Sequence, residues 1–133
     1  MDDITVHVDA EVNPTESEDK VKKAIENMFG DMHTTAKPLK KGSILIAEAH
    51  GREPLAKLYS LLRREHIRAA ARTVLLEGLY RNTISFCLNK QVAYAGHISF
   101  ATEAAESPLG PIRVKIQCEN PRELVNWLTS TAA

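Results

Sequence analysis

Between Ile4 and Val12 apolar and polar residues alternate without interruption, Ile4, Val6, Val8, Ala10 and Val12 against Thr5, His7, Asp9 and Glu11. Neighbouring side chains of a strand point to opposite faces, so this run predicts a strand with one dry and one wet face. Asn13-Pro14 stops it. Thr15 and Glu18 then stand at capping-box spacing, acids crowd the next turn, and Val21, Ala24, Ile25, Met28 and Phe29 recur at helical spacing up to Gly30. A half-wet strand followed by an amphipathic helix leaves few options. The strand needs partners on both edges, and the helix needs the dry face of a sheet to cover.

The remaining pattern supplies both. A short strand is expected near Met32–Ala36, then a turn at Pro38–Gly42 and a clear strand from Ser43 to His50 that ends at Gly51. Pro54 suits the first turn of a helix carrying Leu55, Leu58, Tyr59, Leu61 and Leu62. A second helical set, Ile67, Ala70, Ala71, Val74 and Leu75, runs to Gly78; the apolar face shifts near Glu65–Ile67, which places a break there. Ile84, Phe86 and Leu88 mark a strand, Asn89 to Gly96 a short helix or a wide turn, and Ile98 with Phe100 another strand. After a loop from Glu103 to Pro111, Ile112, Val114, Ile116 and Cys118 form the last strand, and Asn120-Pro121 with Glu123 opens a final helix. About six strands and four helices result. The expected fold class is α+β, one domain spanning 1–133, with a mainly antiparallel sheet and helices packed on it. Its core should include Val6, Val8, Ile25, Ile46, Leu58, Leu61, Val74, Phe86, Ile98, Val114, Ile116 and Leu124.

Composition limits what such a domain can do. A chain of 133 residues with 44% hydrophobic residues can bury a core without crosslinks. Its formal net charge of zero argues against a generic basic coat for nucleic acid and against a membrane-surface protein held by charge. The zero conceals an acidic first quarter, with Asp2, Asp3, Asp9, Glu11, Glu16, Glu18, Asp19, Glu26 and Asp31 against Lys20, Lys22 and Lys23. The rest is therefore net positive. Cys87 and Cys118 lie far apart in apolar segments and read as buried free thiols. No apolar run reaches membrane-helix length, and the acidic, alternating start is unlike a leader, so a cytoplasmic location is expected.

Motifs for chemistry are missing where they would be looked for. His7, His33, His50, His66 and His97 are scattered, and no HxxxH or CxxC pair offers two metal ligands from one turn. No GxGxxG or GxxxxGK[ST] loop is present to cradle phosphate, and no GxSxG elbow to present a nucleophile. Asp9 and Glu11 share one strand face at about 7 Å; paired carboxylates can do acid–base work, but an exposed strand face is the ordinary explanation. The expectation is no metal, no cofactor and no enzyme.

The middle helices carry a different signal. Arg52, Lys57, Arg63, Arg64, Arg68 and Arg72 face only Glu53 and Glu65, and an unbroken helix would line Arg64, Arg68 and Arg72 on one side. Guanidinium forks bind phosphate, so this stripe is a candidate RNA contact; a solvated helix face accounts for it equally.

Two segments go further. LNKQVAYAGHISF (Leu88 to Phe100) and ESPLGPIRV (Glu106 to Val114) resemble the shared signature of an archaeal family of small, functionally uncharacterised proteins. VDAEVNPTESEDKVKKAIENMF, LYSLLRREHIRAAARTVLLEG and ENPRELVNWL resemble the family's other blocks in the same order, so the likeness covers nearly the whole chain. It implies a fold similar to that of the ribosomal protein that binds 5S rRNA, and a predicted RNA-binding role. Within the first segment Lys90 and Tyr94 are candidates to meet a phosphate and a base, against the simpler reading that the segment only connects two strands. The expected function is binding of structured RNA through a basic helical face, with Arg63, Arg64, Arg68, Arg72, Lys90 and Tyr94 as contact residues. A structural or assembly protein is the alternative, and an enzyme with an unrecognised pocket a lesser one. Trp127 and Leu128 on a short terminal helix, with exposed sheet edges, also suggest a homodimer.

Overall fold

The computed structural model describes residues 3–102 and 109–130. Seven strands and five helices follow one another as β1 (Thr5–Val12), α1 (Glu18–Phe29), β2 (His33–Pro38), β3 (Ser43–His50), α2 (Glu53–Arg64), α3 (Arg68–Glu77), β4 (Leu79–Tyr80), β5 (Thr83–Leu88), α4 (Lys90–Tyr94), β6 (Phe100–Ala101), β7 (Ile112–Gln117) and α5 (Pro121–Leu128). The strands form one sheet in the order β2-β3-β1-β7-β5-β4, with β6 also paired to β5, and every pairing is antiparallel. The expected α+β class with a mainly antiparallel sheet is what the chain adopts.

The alternating first strand takes the centre. β1 pairs with β3 on one edge and with β7 on the other, so Val8 lies between Ala47 and Val114, and Asp9 between Ile46 and Arg113. Cross-strand partners share a face. Ile4, Val6, Val8, Ala10 and Val12 therefore fall with Leu45, Ala47, Ile112, Val114, Ile116, Ile84, Phe86 and Leu88 on the side covered by helices, all buried. The apolar stripes of the helices complete that cluster, among them Ile25 and Met28 of α1, Leu55, Leu58 and Leu62 of α2, Leu75 of α3 and Leu124 of α5. The opposite face keeps the polar set, and none of the described helices covers it.

Register also corrects the expected core. Ile46 stands opposite Asp9, on the wet face, and is only partly covered; Leu45 and Ala47 point inward instead. Both faces of β3 are apolar enough to be the core face, so only pairing decides. Val74 is likewise partly buried. The other ten expected core residues are buried.

Most local signals act where the sequence places them. Asn120 caps α5 by accepting from the Glu123 N–H, and Asn89 caps α4 by accepting from the Val92 N–H. The first helix departs from its spacing. Ser17, not Thr15, caps it, and Glu16 turns back to Asn13. The two-residue β4 has no counterpart in the sequence pattern, and the Ile98–Phe100 strand narrows to Phe100–Ala101. Most of the expected loop from Glu103 to Pro111 lies outside the described residues. The break between α2 and α3 falls where the apolar face shifts, at His66, whose φ is 57°.

Gly78 joins α3 to the sheet. A methyl added there would lie 1.8 Å from the Ser85 carbonyl oxygen, and both sides of that contact are backbone. Gly78→Ala should cost about 1–3 kcal/mol by forcing the end of α3 off β5. The expected readout is a lower urea midpoint with an unchanged slope; an unchanged midpoint would show that α3 can move away freely.

Candidate nucleic-acid interface

The arginines of α2 and α3 do not line up as one stripe. The break at His66 turns the chain between Arg64 and Arg68, so their four-residue spacing no longer places them on one helix face. Three of the four converge on a different target, the C-terminal end of α5. Arg63 donates through Nη1 to the Tyr59 and Leu128 carbonyls at 3.2 and 3.3 Å, and through Nη2 to the Ser130 carbonyl and Oγ at 3.0 and 2.9 Å. Arg68 donates to the same Ser130 carbonyl at 3.0 Å. Arg72 reaches Asn126 Oδ1 at 2.7 Å and Thr129 Oγ1 at 3.4 Å. A helix ends with unpaired carbonyls and a partial negative charge, so cations settle there for two reasons at once. Arg64 points elsewhere and donates to the Gly96 carbonyl at 2.7 Å.

All of these acceptors are neutral. Among the described residues none of the four arginines has a carboxylate within salt-bridge distance. The guanidinium groups are therefore positioned without being neutralised. Helix α5 offsets only about half a charge at its end.

Beside this cluster runs a short ladder of rings and cations. Tyr59 stacks on Trp127 with centroids 4.7 Å apart, the Arg63 guanidinium lies 3.3 Å from the Tyr59 centroid, and Arg52 lies 5.2 Å from that of Trp127. Sequence reading counted Arg52 in the basic run of the middle helices without naming it a contact residue, and placed Tyr59 only in the apolar set of α2. The i, i+4 spacing of Tyr59 and Arg63 was the one available sign. Trp127 and Leu128, which suggested self-association, are used inside the fold, Trp127 in this stack and Leu128 in the core.

Lys90 and Tyr94 part company with the cluster. Lys90 is 3% exposed. Its ammonium donates to the Glu11 and Leu109 carbonyls, each at 2.7 Å, and to Glu16 Oε1 at 3.0 Å. An ammonium has three protons, and these partners take them. The expected phosphate contact at Lys90 thus gives way to a structural one, a buried pair tying α4 to the end of β1. Tyr94 is 46% exposed, with Lys20 Nζ 5.9 Å from its ring centroid, and sits against α1 rather than the arginine helices.

Among the described residues no group of three or more His, Cys, Asp or Glu is arranged to hold a metal ion, and no helix is long and apolar enough to cross a membrane. Cys87 and Cys118 are both buried, and burial pushes the Cys118 thiol above its ordinary value.

A family model described as RNA binding matches residues 5–118 of this chain. A UPF0201 protein of Sulfurisphaera tokodaii is 43% identical over 95% of this chain and 87% of its own length. One from Pyrobaculum aerophilum is 43% identical over 89% and 83%. The chain belongs to the archaeal UPF0201 family. The crystal structure of a UPF0201 protein from Methanococcus jannaschii superposes with a TM-score of 0.84 at 34% identity, covering 94% of this chain and 98% of that one. The UPF0201 fold is thus shared along almost the full chain.

The buried pair gives this UPF0201 chain a testable pH dependence. Burial opposes ionisation of Glu16, but hydrogen bonds from the Asn13 backbone and side chain and from Lys90, with the charge of Lys90, outweigh it and hold the carboxyl below its ordinary 4.5. A lowered folded-state value means stability that is present above the unfolded-state value and is lost as pH falls through the folded one. Glu16→Gln should therefore flatten the loss of stability below about pH 4.5 and destabilise the protein at pH 7. Lys90→Met should cost about 3–5 kcal/mol at pH 7, because it strands a partly buried carboxylate. Urea unfolding from pH 3 to 7 checks both, and parallel curves for wild type and Glu16→Gln would remove the linkage.

Proposed function

We propose that this chain binds structured RNA through the phosphate backbone, using the arginines gathered around the end of α5, and that it acts as a binding protein in the cytoplasm rather than as a catalyst. One observation carries the reading. Arg63, Arg68 and Arg72 converge from two helices and are held by neutral acceptors, with no carboxylate partner among the described residues. Fixed, unneutralised guanidinium groups on rigid elements are what a phosphate backbone needs from a protein, since the cost of ordering the side chains is met before binding. The Tyr59–Trp127 stack keeps the supporting helices α2 and α5 together. Arg64, beside the end of α4, extends the positive surface. The family model's description supports RNA as the partner, and the ribosomal-protein likeness implied by the sequence motifs points toward folded RNA.

The test separates the roles of these residues. Arg63 holds four hydrogen bonds and stacks on Tyr59, so it is left intact. Changing Arg64, Arg68 and Arg72 together to Gln should preserve the fold, since Gln is a good helix former and can still donate to a carbonyl. Affinity for a folded RNA should fall. The slope of log affinity against log salt should become shallower by up to about 0.9 for each phosphate that is no longer neutralised, with little change in sequence preference. Lys20, Lys22 and Lys23, which sit among the acids of α1, form the control triple and should matter less. Equal affinity and equal salt slope for the Arg triple and wild type would reduce the cluster to a helix cap.

A further inference from the structure

The face of the sheet left open by the described helices carries its own chemistry. Pairing sets its side chains in rows across the strands: Tyr80, Thr83, Gln117, Thr5 and His50 in one, then Ser85, Lys115, His7, Glu48 and His33 in the next. Arg113 follows in a third, between Cys87 and Asp9, and makes an ion pair with Asp9 at 3.1 Å. Between β1, β7 and β5 these residues border a groove of about 580 Å3, lined by His7, Ser85, Arg113, Lys115 and Gln117 among others. At the end of the first row the sheet presents an aromatic ring to water. Tyr80 is 70% exposed, the most exposed of the large hydrophobic side chains described.

The hairpin that holds Tyr80 adds a second observation. Tyr80 pairs with Thr83, leaving Arg81 and Asn82 as the turn. Arg81 takes φ 55°, a left-handed conformation that glycine or asparagine adopts at least cost, yet the asparagine comes one place later. In that conformation the Arg81 guanidinium lies 5.3 Å from the centroid of the Tyr80 ring. The two-residue hairpin turn itself asks for positive φ at its first central residue, and here it sets a cation beside an exposed ring.

We propose that the sheet face left open by the described helices takes an unpaired stretch of RNA, with one base stacked on Tyr80 beside Arg81 and the strand's phosphates running past Lys115. The inference rests on the RNA-binding reading above and names a second contact, on the other side of the sheet from the arginine cluster. An unpaired strand is favoured over a duplex because a free aromatic ring can stack only on a base whose own face is free. A ring with a guanidinium beside it suits any base, since each has a π-face and the cation favours the adjacent phosphate. Thr5, Thr83, Ser85 and Gln117 supply hydrogen-bonding groups along the path. A folded RNA that exposes a single-stranded segment could then meet both faces.

The probe is an RNA of about ten nucleotides, unpaired, with one 2-aminopurine whose fluorescence is quenched on stacking; a fully paired hairpin of similar length serves as comparison. Wild type and Tyr80→Phe should quench the probe alike. Tyr80→Ala should lose most of the quenching and bind about tenfold more weakly. Lys115→Gln should weaken binding with a shallower salt slope. None of these changes should alter binding of the paired hairpin, and the Arg64, Arg68 and Arg72 triple should leave the quenching in place. Equal quenching and affinity for Tyr80→Ala and wild type would overturn the stacking site. Binding of folded RNA without binding of the unpaired probe would overturn this inference while leaving the arginine-cluster reading intact. If wild type bound neither RNA, both would fall.

Discussion

The structure depends on the double pairing of β1. Its eight residues pair with β3 on one edge, those from Thr5 to Ala10 pair with β7 on the other, and β7 pairs onward with β5. The register of this one strand therefore sets which side chains of at least three others face the helices. A slip by one residue would send Val6, Val8 and Ala10 to water and His7 and Asp9 into the core. Strict alternation along β1 makes that slip expensive. The same alternation keeps the other face polar along the whole strand.

Two consequences meet at the ends of the helices. The sheet buries only one side against helices, so the five described helices share one layer and their termini crowd against each other. Helix α5 ends among α2 and α3, and its unpaired carbonyls draw Arg63 and Arg68, while Arg72 meets Asn126 and Thr129 nearby. At the end of β1 the crowding puts Lys90 of α4 beside Glu16 and the Glu11 carbonyl. Both are solutions to the same problem, the satisfaction of polar groups at element ends. They differ in outcome. Glu16 neutralises Lys90, whereas neutral acceptors leave the arginines charged. On the proposed reading, that difference leaves the charge of Arg68 and Arg72 to a polyanion, whereas Lys90 serves the architecture.

On the proposed reading, the two faces of the domain offer different recognition. The arginines held at the end of α5 would suit a phosphate backbone. The sheet face left open by the described helices carries fewer cations but an exposed ring and a run of hydroxyls and amides. Stacking and hydrogen bonding at such a surface need bases that are free of partners.

Much of the fold was legible in the sequence because its signals are local. The β1 alternation, the helical spacing of α1 and α2, the Asn89 and Asn120 caps and the shift of apolar face near His66 each depend on residues a few positions apart. The family was legible too, through motifs spread over nearly the whole chain. What the sequence could not decide was which of two apolar faces of β3 turns inward, because Ile46 and Leu45 are equally fit for a core and only the pairing with β1 separates them. Nor could it decide the fate of its basic residues. Arg64, Arg68 and Arg72 look alike at a spacing of four, and Lys90 looks as free as Lys20. A carboxylate 74 positions away from Lys90, and a helix end 62 positions beyond Arg68, settle where those charges lie. Charge is written into the sequence; whether it is neutralised depends on contacts between distant segments, and those exist only once the chain has folded.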